Sequence, residues 1–205
     1  VRQSVPHAGR VLRNLRPTFR LSGLAELTPE FVDRHGVRGI LWDVDGTLTH
    51  YHGRALAPEA VAAARLFVLP GLRHAVVSNS DDIRFAELGR MLPDVPVLKL
   101  YESEGRTYGR RLERGVETWR PEPPDRSALR AIRKPSAELI RFAVGELGLE
   151  AGQVVMVGDQ HWTDIAGANL AGVRSIRVPT AGRSTFPWPL RMMQRIEDWM
   201  QRGGG

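Results

Sequence analysis

The sequence predicts an α/β fold: three layers, doubly wound, with a five-stranded parallel sheet between helices and no large cap. Three observations predict it. Short apolar runs alternate with helical segments from residue 37 onward, the pattern of a parallel sheet covered on both faces. The apolar runs read as buried strands rather than as strands with one wet face. The chain has 205 residues, 42% hydrophobic and 25% charged, enough for one domain with a sizeable core.

The elements follow in order. Residues 37–42 form the first strand, and Pro58, tolerated in a first turn, opens a helix over 58–69. Pro70-Gly71 turns the chain into a second strand at 74–77. A helix over 81–92 leads to a third strand at 95–100. The helix over 136–147 places Ile140, Ala143, Val144 and Leu147 on one face. The fourth strand is 153–157. A helix over 163–170 is rich in small residues, which suits close packing on a sheet. A fifth strand at 173–178 and a helix over 189–200 complete the pattern, in which Trp188 and Trp199 read as packing residues. Residues 102–133 break the rhythm. They are rich in charge, contain Pro121, Pro123 and Pro124, and are too long for a simple connection. A mobile lid, a small helical insert and a disordered loop all fit them.

Charge and composition exclude several classes. The net charge is +6, and Arg2, Arg10, Arg13, Arg16 and Arg20 supply +5 of it with no acid among residues 1–20. Basic character is thus concentrated in an arm over 1–25, ahead of a body over 26–205, so broad tracking of nucleic acid is not expected. Residues 8–16 fit a basic amphipathic helix, with Ala8, Val11, Leu12 and Leu15 opposite the arginines. A helix docked on the domain, a peripheral anchor on anionic lipid and a presequence are its three readings. No apolar run is long enough to span a bilayer. The absence of cysteine excludes disulfides, thiolate metal sites and a Cys nucleophile. The first residues lack the apolar stretch of a secretory signal. The expected location is cytoplasmic, peripheral on the inner membrane surface if the arm is an anchor.

Ligands of such sheets bind beyond the carboxyl ends of the strands, and the strand ends here carry chemistry. The first strand ends Asp43-Val44-Asp45-Gly46-Thr47. Two acids at i and i+2 point the same way and repel each other, which calls for a divalent cation. Gly46 permits a sharp change of direction. The second strand ends Ser78-Asn79-Ser80, a hydroxyl ahead of a helix start that offers donors to an anion. The fourth delivers Gly158-Asp159, with Asp164 five residues on, suited to a metal ligand and to a supporting acid or helix cap. Lys134, one of only two lysines beside Lys99, precedes Pro135 at a helix head. As a compact point charge it suits the balancing of a carboxylate and a phosphoryl oxygen. His50, His52, His161 and Trp162 lie where they could line the site.

In this order, Asp43-Val44-Asp45-Gly46-Thr47, Ser78-Asn79, Lys134-Pro135 and Gly158-Asp159…Asp164 resemble the haloacid dehalogenase superfamily of phosphohydrolases, which has a Rossmann-like fold. The resemblance implies Asp43 as the nucleophile that forms an aspartyl-phosphate, and Asp45 as the acid and then the base. It implies Mg²⁺ held by Asp43, the Asp45 main-chain carbonyl and Asp159, with Asp164 supporting from behind. Thr47, Ser78 and Asn79 would bind the phosphoryl group, and Lys134 would both bind it and balance charge. Leu27-Thr28-Pro29-Glu30, Gly36-Val37-Arg38-Gly39-Ile40, Arg133-Lys134-Pro135 and Gly167-Ala168-Asn169…Gly172 are similar to the YqeG-type branch of subfamily IIIA. That branch includes phosphatidylglycerophosphate phosphatases. It usually has Asn where Gly46 stands and usually lacks the 102–133 insert. No large cap fits between Asp43 and Ser78, and an open site favours large or membrane-borne substrates. A soluble sugar- or nucleotide-phosphate phosphatase and a non-catalytic binding protein on the same fold are the alternatives.

Overall fold

The computed structural model describes residues 14–202. Its strands are β1 (Phe19–Arg20), β2 (Gly39–Trp42), β3 (Arg73–Val77), β4 (Val97–Ser103), β5 (Arg106–Glu113), β6 (Val116–Arg120), β7 (Arg130–Ile132), β8 (Val154–Gly158) and β9 (Arg174–Arg177). Its α-helices are α1 (Pro29–Arg34), α2 (Asp82–Met91), α3 (Ala137–Glu146), α4 (Ala166–Ala171) and α5 (Trp188–Arg202). The sheet order is β1-β9-β8-β2-β3-β4-β5-β6, with β7 also paired to β4. All pairs from β1 to β4 are parallel. The five expected strands are present as β2, β3, β4, β8 and β9, in the doubly wound order.

Alternation along the strands builds a core on each face. Ile40, Trp42, Val76, Val155 and Val157 pack on one side with Leu66, Phe85 and Leu88. Leu41, Ala75, Val77, Val154 and Met156 pack on the other with Ile140, Ala143, Val144 and Ala168. Each large apolar side chain buried this way contributes roughly 1.5–3 kcal/mol. Trp42 carries one polar group into this core: its indole N–H donates to His74 Nδ1 at 3.0 Å, and His74 Nε2 donates to the Leu66 carbonyl at 2.9 Å.

The structure corrects several expectations. The segment 102–133 is neither a lid, a helical insert nor a disordered loop. It adds antiparallel strands: β5 pairs with β4 from Val97↔Leu112 to Ser103↔Arg106, and β6 pairs with β5. β3 pairs with β4 at Val97 and Leu98, and β7 takes over at Leu100, Tyr101 and Glu102. β7 therefore extends beyond the end of β3 on the same side of β4. The run Pro58–Val68 is a 3₁₀ helix, and the expected helix at 163 begins with a π turn, His161–Ile165, before α4. β1 and α1 were not expected. Thr28 caps α1, accepting from the Phe31 N–H at 3.2 Å, and Pro29 fills its first turn.

The later part of the expected arm is built into the body. Leu15 is buried, β1 pairs with β9, and the Asn169 amide donates to the Asn14 and Arg16 carbonyls at 2.8 Å each. Ala8, Arg10, Val11, Leu12 and Arg13 of the expected amphipathic helix lie outside the described residues. Among the described residues no helix is long and apolar enough to cross a membrane.

Candidate active site

Parallel register aligns three strand ends. Trp42 lies opposite Val76 of β3 and Val157 of β8, so the residues that follow emerge side by side. Asp43 leaves β2, Ser78 leaves β3 and Asp159 leaves β8. The Asp43 N–H donates to the Val157 carbonyl at 2.9 Å and holds the first of these ends in place. Lys134 reaches the same spot through β7. The Asn79 side chain grips its main chain at both ends: the Lys134 N–H donates to Asn79 Oδ1 at 2.7 Å, and Asn79 Nδ2 donates to the Lys134 carbonyl at 3.0 Å.

At the floor, Lys134 Nζ donates to Asp43 Oδ1 at 2.5 Å and to Asp164 Oδ1 at 2.6 Å. The Gln160 N–H donates to Asp164 Oδ2 at 3.1 Å. Two features let Asp164 reach this position. The π turn redirects the chain after Gln160, and Gly158 leaves room, since a Cβ there would stand 2.4 Å from the Asp164 side chain. The Thr47 hydroxyl donates to Asp43 Oδ2 at 3.3 Å. Gly46 has φ +93, and a Cβ on it would stand 2.8 Å from Asp159 Oδ2 and from the Phe186 ring. Glycine is thus required both by the backbone and by the close approach.

Carboxylate oxygens of Asp43, Asp159 and Asp164, all buried, lie within 4.8 Å of one another. Burial pushes the Asp43 carboxyl up to about 7, against the opposing pull of Lys134. Burial and the neighbouring Asp43 and Asp164 charges raise Asp159 well above the usual carboxylate range. Lys134 is itself raised, its burial outweighed by Asp164 and Asp43. Asp159 Oδ1 is buried without a hydrogen-bond partner. Three acids around one ammonium, with an orphaned carboxylate oxygen, suit a divalent cation that takes oxygen ligands.

Asp45 sits apart from this cluster. Its Oδ1 accepts from Arg84 Nη2 at 2.8 Å, the His52 N–H at 3.0 Å and the Thr49 hydroxyl at 3.3 Å. Arg84 is 2% exposed and also donates to the Gly53 carbonyl at 2.8 Å and to Glu87 at 3.3 Å. Sequence reasoning passed over Arg84. The signal was its place in the first turn of α2, where a cation opposes the helix dipole.

The pocket above these groups has a volume of about 460 Å³ and is lined by Asp43, Asp45, Ser78, Asn79, Lys134 and also Tyr51, His52, Ser80, Arg133, Gln160, Phe186 and Leu190. The structure thus brings the site residues expected from sequence together at one end of the sheet. The Asn79 amide is engaged with Lys134, the Thr47 hydroxyl with Asp43, and one Asp45 oxygen with Arg84. His161 is buried, its Nδ1 bonded to the Leu15 carbonyl at 2.9 Å, and His50 faces Glu59 at 3.4 Å.

Comparison with known proteins agrees with this geometry. A family model described as HAD-hydrolase-like matches residues 131–185, which hold Lys134, Asp159 and Asp164. The probable phosphatase YqeG of Bacillus subtilis is 24% identical over 171 residues, 83% of this chain and 81% of that protein. Phosphatidylglycerophosphate phosphatase 1 of Arabidopsis thaliana is 25% identical over 193 residues, 91% of this chain but 49% of that protein. A phospholysine phosphohistidine inorganic pyrophosphate phosphatase of Rattus norvegicus is 41% identical over 49 residues, 24% of this chain and 18% of that protein. Fold, pocket chemistry and relatives lead to one conclusion: the chain is a HAD-like phosphatase, similar to the haloacid dehalogenase phosphatases of subfamily IIIA, and a phosphoric monoester hydrolase.

Proposed function

We propose that this phosphatase acts through a phosphoryl group carried on Asp43, with Mg²⁺ as cofactor and phosphatidylglycerophosphate as substrate. The observation that carries the catalytic reading is the Lys134 ammonium bonded to both Asp43 and Asp164 beneath a pocket lined by Asp45 and Ser78. An anionic nucleophile must approach an anionic phosphate, and a buried cation at its oxygen reduces the repulsion. In this scheme an Asp43 oxygen bonds to phosphorus as the ester oxygen departs. Asp45 gives that oxygen a proton through Oδ2, the oxygen away from Arg84. It then takes a proton from the water that releases phosphate from Asp43. Ser78 holds a phosphoryl oxygen, and Asn79 acts by keeping Lys134 in place.

Mg²⁺ would be held by Asp43, Asp159 and the Asp45 carbonyl, and it supplies charge neutralisation at the phosphoryl oxygens. Asp164 would fix the lysine and the geometry behind these ligands. The lipid substrate is supported by the name of the Arabidopsis relative and by the lack of a cap over the pocket among the described residues. The test is hydrolysis of a panel in Mg²⁺: phosphatidylglycerophosphate, phosphatidic acid, sugar phosphates and nucleotides. Asp43→Asn is expected to lower turnover at least about a thousandfold while the circular dichroism spectrum is unchanged. Near-wild-type turnover in that variant would reject the mechanism. Selective hydrolysis of the sugar phosphates or nucleotides would reject the lipid substrate alone.

A further inference from the structure

Helix α5 turns its apolar side outward. Trp188, Met192 and Ile196 stand four residues apart on one face and are 66%, 38% and 52% exposed. Met193 beside them is 37% exposed. The side that packs inward includes a polar anchor: Gln194 is 1% exposed, and its Nε2 donates to Asp159 Oδ2 at 3.4 Å, one turn after the half-buried Leu190. A helix held by the hydrophobic effect alone has the opposite arrangement. Trp188, expected as a packing residue, is among the most exposed apolar side chains.

Charge and position identify the partner. Residues 183–202 contain Arg183, Arg191, Arg195 and Arg202 against Glu197 and Asp198, a net +2, and the first two turns of the helix, which carry Trp188 and Met192, precede both acids. Arg191 and Arg195 line a shallow cleft together with Trp188 and Met192. Exposed apolar residues interleaved with arginines are the pattern of a helix that lies in a lipid interface, where the rings and aliphatic groups sink and the guanidinium groups stay at the headgroups. A tryptophan prefers that same level. The face also adjoins the pocket: Phe186 and Leu190, just before and within the helix, line its wall.

We propose that the exposed face of α5 seats the protein on an anionic lipid bilayer, with the catalytic pocket opening beside it. The docking itself is independent of the phosphatase mechanism. Only its effect on a lipid-borne substrate rests on that reading.

The experiment uses the full chain and sedimentation with two kinds of vesicle, pure phosphatidylcholine and phosphatidylcholine with 30 mol % phosphatidylglycerol. Binding to the anionic vesicles is expected to be at least ~10-fold tighter and to weaken in 0.5 M NaCl. The double variant Trp188→Ser/Ile196→Ser is expected to lose ~10-fold or more of that binding. Both side chains are exposed and away from the reacting groups, so hydrolysis of a soluble phosphate ester stays at the wild-type level. Turnover of a diacyl phosphomonoester in the anionic vesicles falls with binding. Wild-type protein that stays in the supernatant, or a double variant that binds as wild type does, would overturn the proposal. So would a wild-type dimer in sedimentation velocity that the double variant dissolves without any vesicle binding. Absence of soluble-ester hydrolysis in the wild type would instead count against the catalytic reading and leave the vesicle result standing.

Discussion

Arg84 shows how much of a site can depend on a side chain that faces away from the pocket. Its guanidinium is buried, and it joins α2 to Asp45 and to the turn at Gly53. Three donors meet on Asp45 Oδ1, which fixes the carboxylate and leaves Oδ2 for the proton transfer proposed above. Breaking a buried ion pair leaves an uncompensated charge and frees the carboxylate to rotate. Arg84→Met is therefore expected to lower kcat for alkyl phosphates about a hundredfold, the scale of a misplaced acid–base group. The first turnover of 4-nitrophenyl phosphate, whose leaving group needs little protonation, is expected to be much less affected in rapid-quench experiments. Arg84 also lines a solvent-facing pocket of about 390 Å³ with Arg54, Glu87, Arg90 and Met91, through which added guanidinium should partly restore the variant. Equal loss on both substrates and no rescue would reduce Arg84 to a structural role.

At the scale of elements, β2 and β3 are tied by a polar pair inside the core. Burial pushes the His74 pKa down from 6.5 to about 4, only partly opposed by its bond to the Leu66 carbonyl. Above pH 6.5 the ring is neutral in both folded and unfolded chains and costs nothing. As pH falls from 6.5 toward 4, the unfolded chain gains a proton that the folded chain refuses, so stability is lost across that window. The full loss is about 3 kcal/mol. Urea unfolding at pH 7 and pH 4.5 should show a larger fall for the wild type than for His74→Gln, and equal falls would contradict the assignment. The contrast between elements also explains what the sequence could reveal. The strands that carry Asp43 and Asp159 were legible because contiguous apolar runs end in acids, a local signal. β7 was not legible: its three residues have meaning only through pairing with Leu100, Tyr101 and Glu102. Nor was the π turn at 161–165, which depends on Gly158 making room for Asp164. The roles of Asn79 and Arg84 depend on contacts with Lys134 and Asp45, 55 and 39 residues distant in sequence, which composition and spacing do not record.

For the whole molecule, the clustered acids at the strand ends oppose folding, and the proposed cation would relieve that cost. Asp43, Asp159 and Asp164 lie within one small volume, and Lys134 is shared between two of them. A ligand that binds only the folded chain stabilises it by mass action. Mg²⁺ at about 100 times its Kd is thus expected to raise Tm by roughly 5–10 °C. Asp159→Asn should remove most of that shift without lowering the metal-free Tm, because the buried Asp159 carboxyl resists ionisation in the folded chain and so opposes folding. A metal-independent Tm in the wild type would count against the cation site. The strands of the 102–133 segment have a further consequence at this scale. By continuing the sheet past β4, they move its open boundary from an apolar central strand to β6, five residues long and carrying Glu117 and Arg120. At the opposite boundary stands β1, two residues long. A short or charged border is a poor template for a strand from another molecule, so the sheet ends where aggregation would find little to extend.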